Sequence, residues 1–189
     1  MSEILTHTRV MIDPVHPEKA LIDIRDIAHA LSMLCRANGH FPTFYSVGQH
    51  SINCMREAAA RGYSRRVQLA CLTHDGSEAY LADITRPVKK ELPKYLEIEE
   101  PLQTLIWEKF LDAPLTEEEY RRVFEIDDAV LYYEFLTLMG MPLAEKAPEL
   151  KTLPELAFSG FRQTEEEFLA CFYQLSRETE EAGMEEGTQ

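Results

Sequence analysis

The sequence predicts an all-α helical bundle, and three observations lead there. Three segments open with Ser or Thr followed three positions later by Gln or Glu, the reciprocal capping box that starts a helix: Ser46 with Gln49, Thr116 with Glu119, and Thr164 with Glu167. Apolar residues recur at three- and four-residue spacing through most of the chain. Alternation with a period of two is confined to the first twenty positions, where "THTRVMID" reads as a short edge strand before Pro14 and Pro17 break it. A short N-terminal β-hairpin is therefore compatible with the pattern.

Taken in order, the first helix is expected near 24–37. The next begins at the Ser46 cap, with Val47, Ile52 and Met55 on its apolar face, and a third is expected over 65–81. Pro87 and Pro93 interrupt the chain after Asp83 and are read as a loop, followed by a helix over 97–112. The Thr116 helix carries Val123, Val130, Leu131 and Leu138 and ends at Gly140 and Pro142. The last helix, capped at Thr164, presents Phe168, Phe172 and Leu175. The acidic stretch "ETEEAGMEEGTQ", about 178–189, has almost no large apolar group and is expected to be disordered. No repeat or linker divides the chain, so a single domain over 1–189 is expected.

With 189 residues, 45% of them hydrophobic, the chain can bury a core of ordinary size. Its net charge of −14 disfavours nucleic-acid polymers and anionic membranes, both of which need a positive field. No apolar run approaches the roughly 20 residues that span a bilayer, and the N-terminus lacks a signal-peptide layout. A cytoplasmic protein is expected. Cys35, Cys54, Cys71 and Cys171 are widely spaced with no CxxC, as suits reduced, buried thiols.

"ACLTHDGSEAYLADITRPVKK" collects ionisable residues in an apolar setting, where each is costly unless paired or bound to a metal. His50 on one helix and the His74–Asp75 doublet on the next form a mixed N/O donor set for Mn²⁺, Co²⁺, Zn²⁺, Fe²⁺ or Mg²⁺. A further ligand is expected from "EIDDAVLYYE". There Asp127 is in phase with Val123, Val130, Leu131, Glu134 and Leu138, whereas Asp128 is rotated by about 100°.

His50, His74–Asp75 and Asp127 resemble the H…HD…D signature of the HD-domain metal-dependent phosphohydrolases, an all-α superfamily. "YSVGQHS" and "HDGSEAYLADITRPVK" are similar to its branch of 5′-deoxynucleotidases and their phosphohydrolase relatives, over roughly residues 22–139. The resemblance implies that His50, His74, Asp75 and Asp127 hold one divalent metal, that Glu78 and Asp83 are catalytic, and that Arg36 binds substrate; phosphate among so many acids needs further cations, and Arg86 and Lys89 are expected to bind it as well. Ala37 stands where that branch carries Trp beside its substrate-binding Arg.

The activity implied is hydrolysis of (deoxy)nucleoside 5′-monophosphates to nucleoside and phosphate. The alternatives are triphosphohydrolysis or stepwise hydrolysis of (d)NTPs and, outside enzymes, a helical module that binds a nucleotide or a partner. A homo-oligomer, a dimer, is expected by the same resemblance. His7, His16, His29 and His40 have no ligand spacing and read as surface or hydrogen-bonded histidines. Trp107, Tyr132, Tyr133 and Phe135 read as core or as a dimer face.

Overall fold

The computed structural model describes residues 2–186, with side chains for 2–177. It is 60% helical. The hairpin pairs β1 (Ile4–Leu5) with β2 (Met11–Ile12) antiparallel, Ile4 opposite Ile12. The helices among the described residues are α1 (Ile24–Met33), α2 (Val47–Ala60), α3 (Arg65–Leu72), α4 (Glu78–Leu81), α5 (Arg86–Lys89), α6 (Pro93–Phe110), α7 (Glu117–Met139) and α8 (Phe161–Glu186). The disorder expected for about 178–189 lies outside the residues whose side chains are described. No helix among the described residues is long and apolar enough to cross a membrane.

α2 is the central post, packed by α1, α3, α7 and α8. Its capping box forms as the sequence predicts: Ser46 Oγ accepts from the Gln49 amide, and Gln49 returns its side chain to the Ser46 amide. Because neighbours cover most of α2, it buries His50, Ser51, Asn53 and Glu57 along with Val47, Ile52, Cys54 and Ala58. A core of Ile12, Ile27, Leu31, Leu72, Leu102, Ile106, Ile126 and Phe168 surrounds that polar thread. Burying each large apolar side chain contributes about 1.5–3 kcal/mol, which offsets the cost of holding polar groups inside.

Four boundaries differ from the sequence expectation, each for a physical reason. The first helix stops at Met33, and the 3₁₀ turn Arg36–Gly39 carries Ala37 and Asn38 at φ 53° and 50°. This reversal lets Arg36 N–H bond the Tyr45 carbonyl at 2.9 Å and aims the guanidinium inward. The helix expected over 65–81 breaks between Leu72 and Glu78, in the segment that carries His74 and Asp75. Pro87 and Pro93 start helices instead of interrupting them, since a first-turn residue has no intrahelical N–H bond to lose. α8 begins a turn before Thr164, whose amide bonds Gly160 O at 3.0 Å, so the third capping box does not form. By contrast the Thr116 box is intact, and Gly140 closes α7 in the left-handed region at φ 67°.

Candidate metal centre

α2 and α7 run side by side and supply half of the site. His50 is fully buried, its Nδ1 2.6 Å from Glu134 Oε1 and its Nε2 3.0 Å from Asp127 Oδ1. Glu134, seven residues after Asp127 on the same face of α7, also accepts from Tyr45 OH at 2.8 Å, and Asn53 Nδ2 donates to that hydroxyl at 2.9 Å. One turn along α2 from His50, Cys54 places its Sγ 3.4 Å from His50 Nε2. Asp127 faces this cluster, whereas the Asp128 side chain is 62% exposed, as the helical phase predicts.

The break between α3 and α4 supplies the other half. His74 Nδ1 donates to Cys71 O at 2.8 Å, which fixes the tautomer and leaves the Nε2 lone pair free. That Nε2 is buried, 3.3 Å from Asp75 Oδ1 and 3.8 Å from Asp127 Oδ1, and forms a hydrogen bond with neither. Gln103 of α6 clamps the turn, accepting from Ser77 N–H at 3.0 Å and donating to Thr73 O at 2.9 Å. Gly76 suits the close packing here, because a Cβ would stand 3.0 Å from Thr73 O and 3.2 Å from Ile106 Cγ2, and one of them would have to give by a few tenths of an ångström. Glu78 opens α4 and is buried with Oε2 unpartnered, and Lys89 Nζ lies 3.6 Å from its other oxygen. His74 and Asp75, expected on one continuous helix with Glu78, lie instead in the turn that precedes it.

Arg36 lies in the middle, 3.2 Å from Glu134 Oε2, 3.3 Å from Asp75 Oδ2 and 3.5 Å from Asp127 Oδ1. Arg86 bonds both Asp127 and Asp128, and Lys89 pairs with Glu99 at 2.7 Å. All three cations expected to bind substrate are thus engaged by carboxylates.

Burial and the Arg36 charge oppose a protonated His50, yet Cys54, Glu134 and the bond to Asp127 outweigh them and hold it well above its ordinary pKa. Burial alone would raise Asp127, but the bond from His50 and the His50 charge pull it well below the carboxylate range. Glu134 is likewise drawn down to about 2, the His50 and Arg36 charges overcoming its burial. Glu78 goes the other way. Burial, then Asp75 and Asp83, push it well up against the opposing Lys89 and Arg36 charges. Asp83 is also raised, chiefly by burial, and feels Arg36, Asp75 and Lys89. One wall of the site is therefore anionic, and the other holds carboxyls that keep a proton more readily.

The donor set fits a metal ion. His50, Cys54, His74 and Asp127 are all buried, and a ligating atom from each lies within 4.8 Å of the others. Two donors each about 2.1 Å from a shared ion stand about 3–4 Å apart, the range of the separations above. The unpartnered His74 Nε2 is the atom whose burial such an ion would explain. Asp75 borders the group, its Oδ2 4.0 Å from His50 Nε2.

Cys54, Glu134 and Gln103 join the site although none is a candidate for it on sequence grounds. The first two carried a signal, the i, i+4 spacing of Cys54 from His50 and the heptad spacing of Glu134 from Asp127. Gln103 carried none. Beside His74 and Asp75 a cavity of about 440 Å³ runs between α6 and α7, walled by Trp107, Tyr120 and Phe124. Trp107, read from the sequence as core or dimer face, is buried with an unpartnered Nε1–H on that wall.

No family profile matches the chain. It is 33% identical over 153 residues to the uncharacterized protein YfdR of Escherichia coli, covering 75% of this chain and 82% of that one. It is also 33% identical over 141 residues to an uncharacterized protein of Rhodobacter capsulatus, covering 71% of each.

Proposed function

The chain belongs to the same family as Escherichia coli YfdR, and from the buried donor cluster we propose that it is a metal-dependent phosphohydrolase of the HD-domain kind that acts on nucleotides. The observation that carries the reading is the buried, unpartnered His74 Nε2, held in one tautomer and facing His50 and Asp127. A binding module that needed no metal would have little reason to bury such an atom.

His50, His74, Asp75 and Asp127 would hold one divalent ion, with the Cys54 thiol at its edge. When bound, that ion supplies Lewis-acid polarisation of a phosphoryl oxygen and lowers the pKa of a water. Glu134 orients His50 through Nδ1 and keeps Nε2 turned inward. Arg36 brings positive charge to the phosphoryl oxygens from within the anionic wall. Glu78, whose environment favours its protonated form, holds the proton that the leaving oxygen takes up, and Asp83 shares that work with the attacking water. The half-exposed Arg86 exchanges its carboxylate partners for phosphate as substrate enters.

The cavity beside His74 and Asp75 has the size of a small-molecule site and an aromatic wall, which favours a nucleoside as the group carrying the phosphate. Nucleoside 5′-monophosphates are the first substrates to test, then (d)NTPs.

Purified chain is screened for phosphate release from a mono- and triphosphate panel with Mn²⁺, Co²⁺, Zn²⁺, Fe²⁺ and Mg²⁺. Glu78→Ala and Asp83→Ala should keep the bound metal and lose activity by about 10²–10⁴, the usual cost of one positioned acid or base. Arg36→Ala should chiefly raise KM. Metal-loaded protein that turns over no nucleotide, or full turnover in both acid variants, would sink the assignment and leave the binding module in its place.

A further inference from the structure

Away from that centre, the fold draws together another set of ligating side chains from three separate elements. His7 sits in the loop between β1 and β2, His29 on α1 and Glu165 on α8, and a ligating atom from each lies within 4.8 Å of the others. His29 Nδ1 is 3.0 Å from Glu165 Oε2. The His7 ring stacks on His29 with centroids 3.7 Å apart and planes 15° from parallel.

The loop is fixed where it needs to be for this arrangement. Thr8, the neighbour of His7, is pinned to buried Asp26 by two bonds, its amide to Oδ1 at 2.6 Å and its hydroxyl to Oδ2 at 2.9 Å. Asp26 and His29 are one turn apart on α1, so the contact that docks the hairpin also sets His7 over His29.

We propose that His7, His29 and Glu165 form a second metal site, for a borderline divalent transition ion such as Zn²⁺, Ni²⁺ or Cu²⁺. Two imidazoles and a carboxylate are the donors these ions favour, whereas Mg²⁺ and Ca²⁺ prefer all-oxygen sets. His7 is exposed, so its ring can turn to bring a nitrogen lone pair onto the ion. Water completes the coordination from the open side. A bound ion ties the N-terminal hairpin to the α1–α8 pair and adds to the Thr8–Asp26 clasp.

Equilibrium dialysis of the full chain against Zn²⁺, read as metal per chain, tests this. His7→Ala, a change at an exposed loop residue, should bind one equivalent fewer than wild type, and His29→Gln should do the same. Dialysis against Mg²⁺ should show no such difference. The reading is a difference between chains whose buried centre is identical, so it stands apart from the phosphohydrolase assignment. Equal Zn²⁺ content in wild type and His7→Ala overturns the proposal, as does a loss equally large for Mg²⁺.

Discussion

The two walls of the buried centre are both rich in ionisable groups and are built in opposite ways. On the α2–α7 wall, His50, Cys54, Asp127 and Glu134 project from two regular helices, both started by intact capping boxes. Each side chain's direction follows from helical phase, and every neighbour is a fixed number of residues away. On the facing wall, His74 and Asp75 come from a break between α3 and α4, with Glu78 opening α4 just beyond it, and the break is shaped from outside by Gln103 and by the close approach of Ile106 to Gly76. The first wall is determined locally and the second by a distant helix. Ligand direction can thus be set by secondary structure or by a tertiary clamp, and the two should fail differently under mutation.

The largest effect is expected on the helical wall. His50→Ala or Asp127→Ala removes a donor outright and should cost more than the roughly 10–100-fold in metal affinity that losing a supporting contact typically costs. Metal retained through purification, measured by elemental analysis, checks it. Retention at the wild-type level would mean that the helical wall does not hold the ion.

A smaller and different loss is expected on the clamped wall. Gln103→Ala touches no donor, but it leaves the Ser77 amide without its partner and the Thr73 carbonyl with the Gly76 N–H bond at 3.0 Å alone. An unpartnered buried group of this kind costs about 1–3 kcal/mol, visible as a lower urea midpoint. Metal affinity should fall by about 10–100-fold with the helix content unchanged. If the urea midpoint drops while affinity holds, the turn keeps its shape unaided and the contrast between the walls disappears.

The smallest effect sharpens the phase argument. Asp128 neighbours Asp127 but is largely exposed and pairs only with Arg86 among the contacts given above. Asp128→Ala should change stability by no more than about 0.5 kcal/mol and leave metal binding intact, as calorimetry with the same ion would show.

Local sequence signals were enough for the all-α class, for the starts of α2 and α7, and for which of Asp127 and Asp128 faces inward, and they allowed the N-terminal hairpin. All of these rest on interactions within one or two helical turns, where capping and periodicity act. The sequence also marked His50, His74 and Asp75 as a group, through their resemblance to a known signature. Where the chain turns against its local propensity depends instead on long-range packing. The helix expected over 65–81 is interrupted at 73–77 because Gln103, thirty residues from Thr73, satisfies the turn's backbone. The helix expected over 24–37 yields to a left-handed turn that bonds Tyr45 and sends Arg36 into the carboxylates. His7, His29 and Glu165 meet only after three elements pack, His29 and Glu165 being 136 positions apart. No local pattern encodes such meetings, since they are fixed by which apolar faces bury one another, and that is a property of the whole chain.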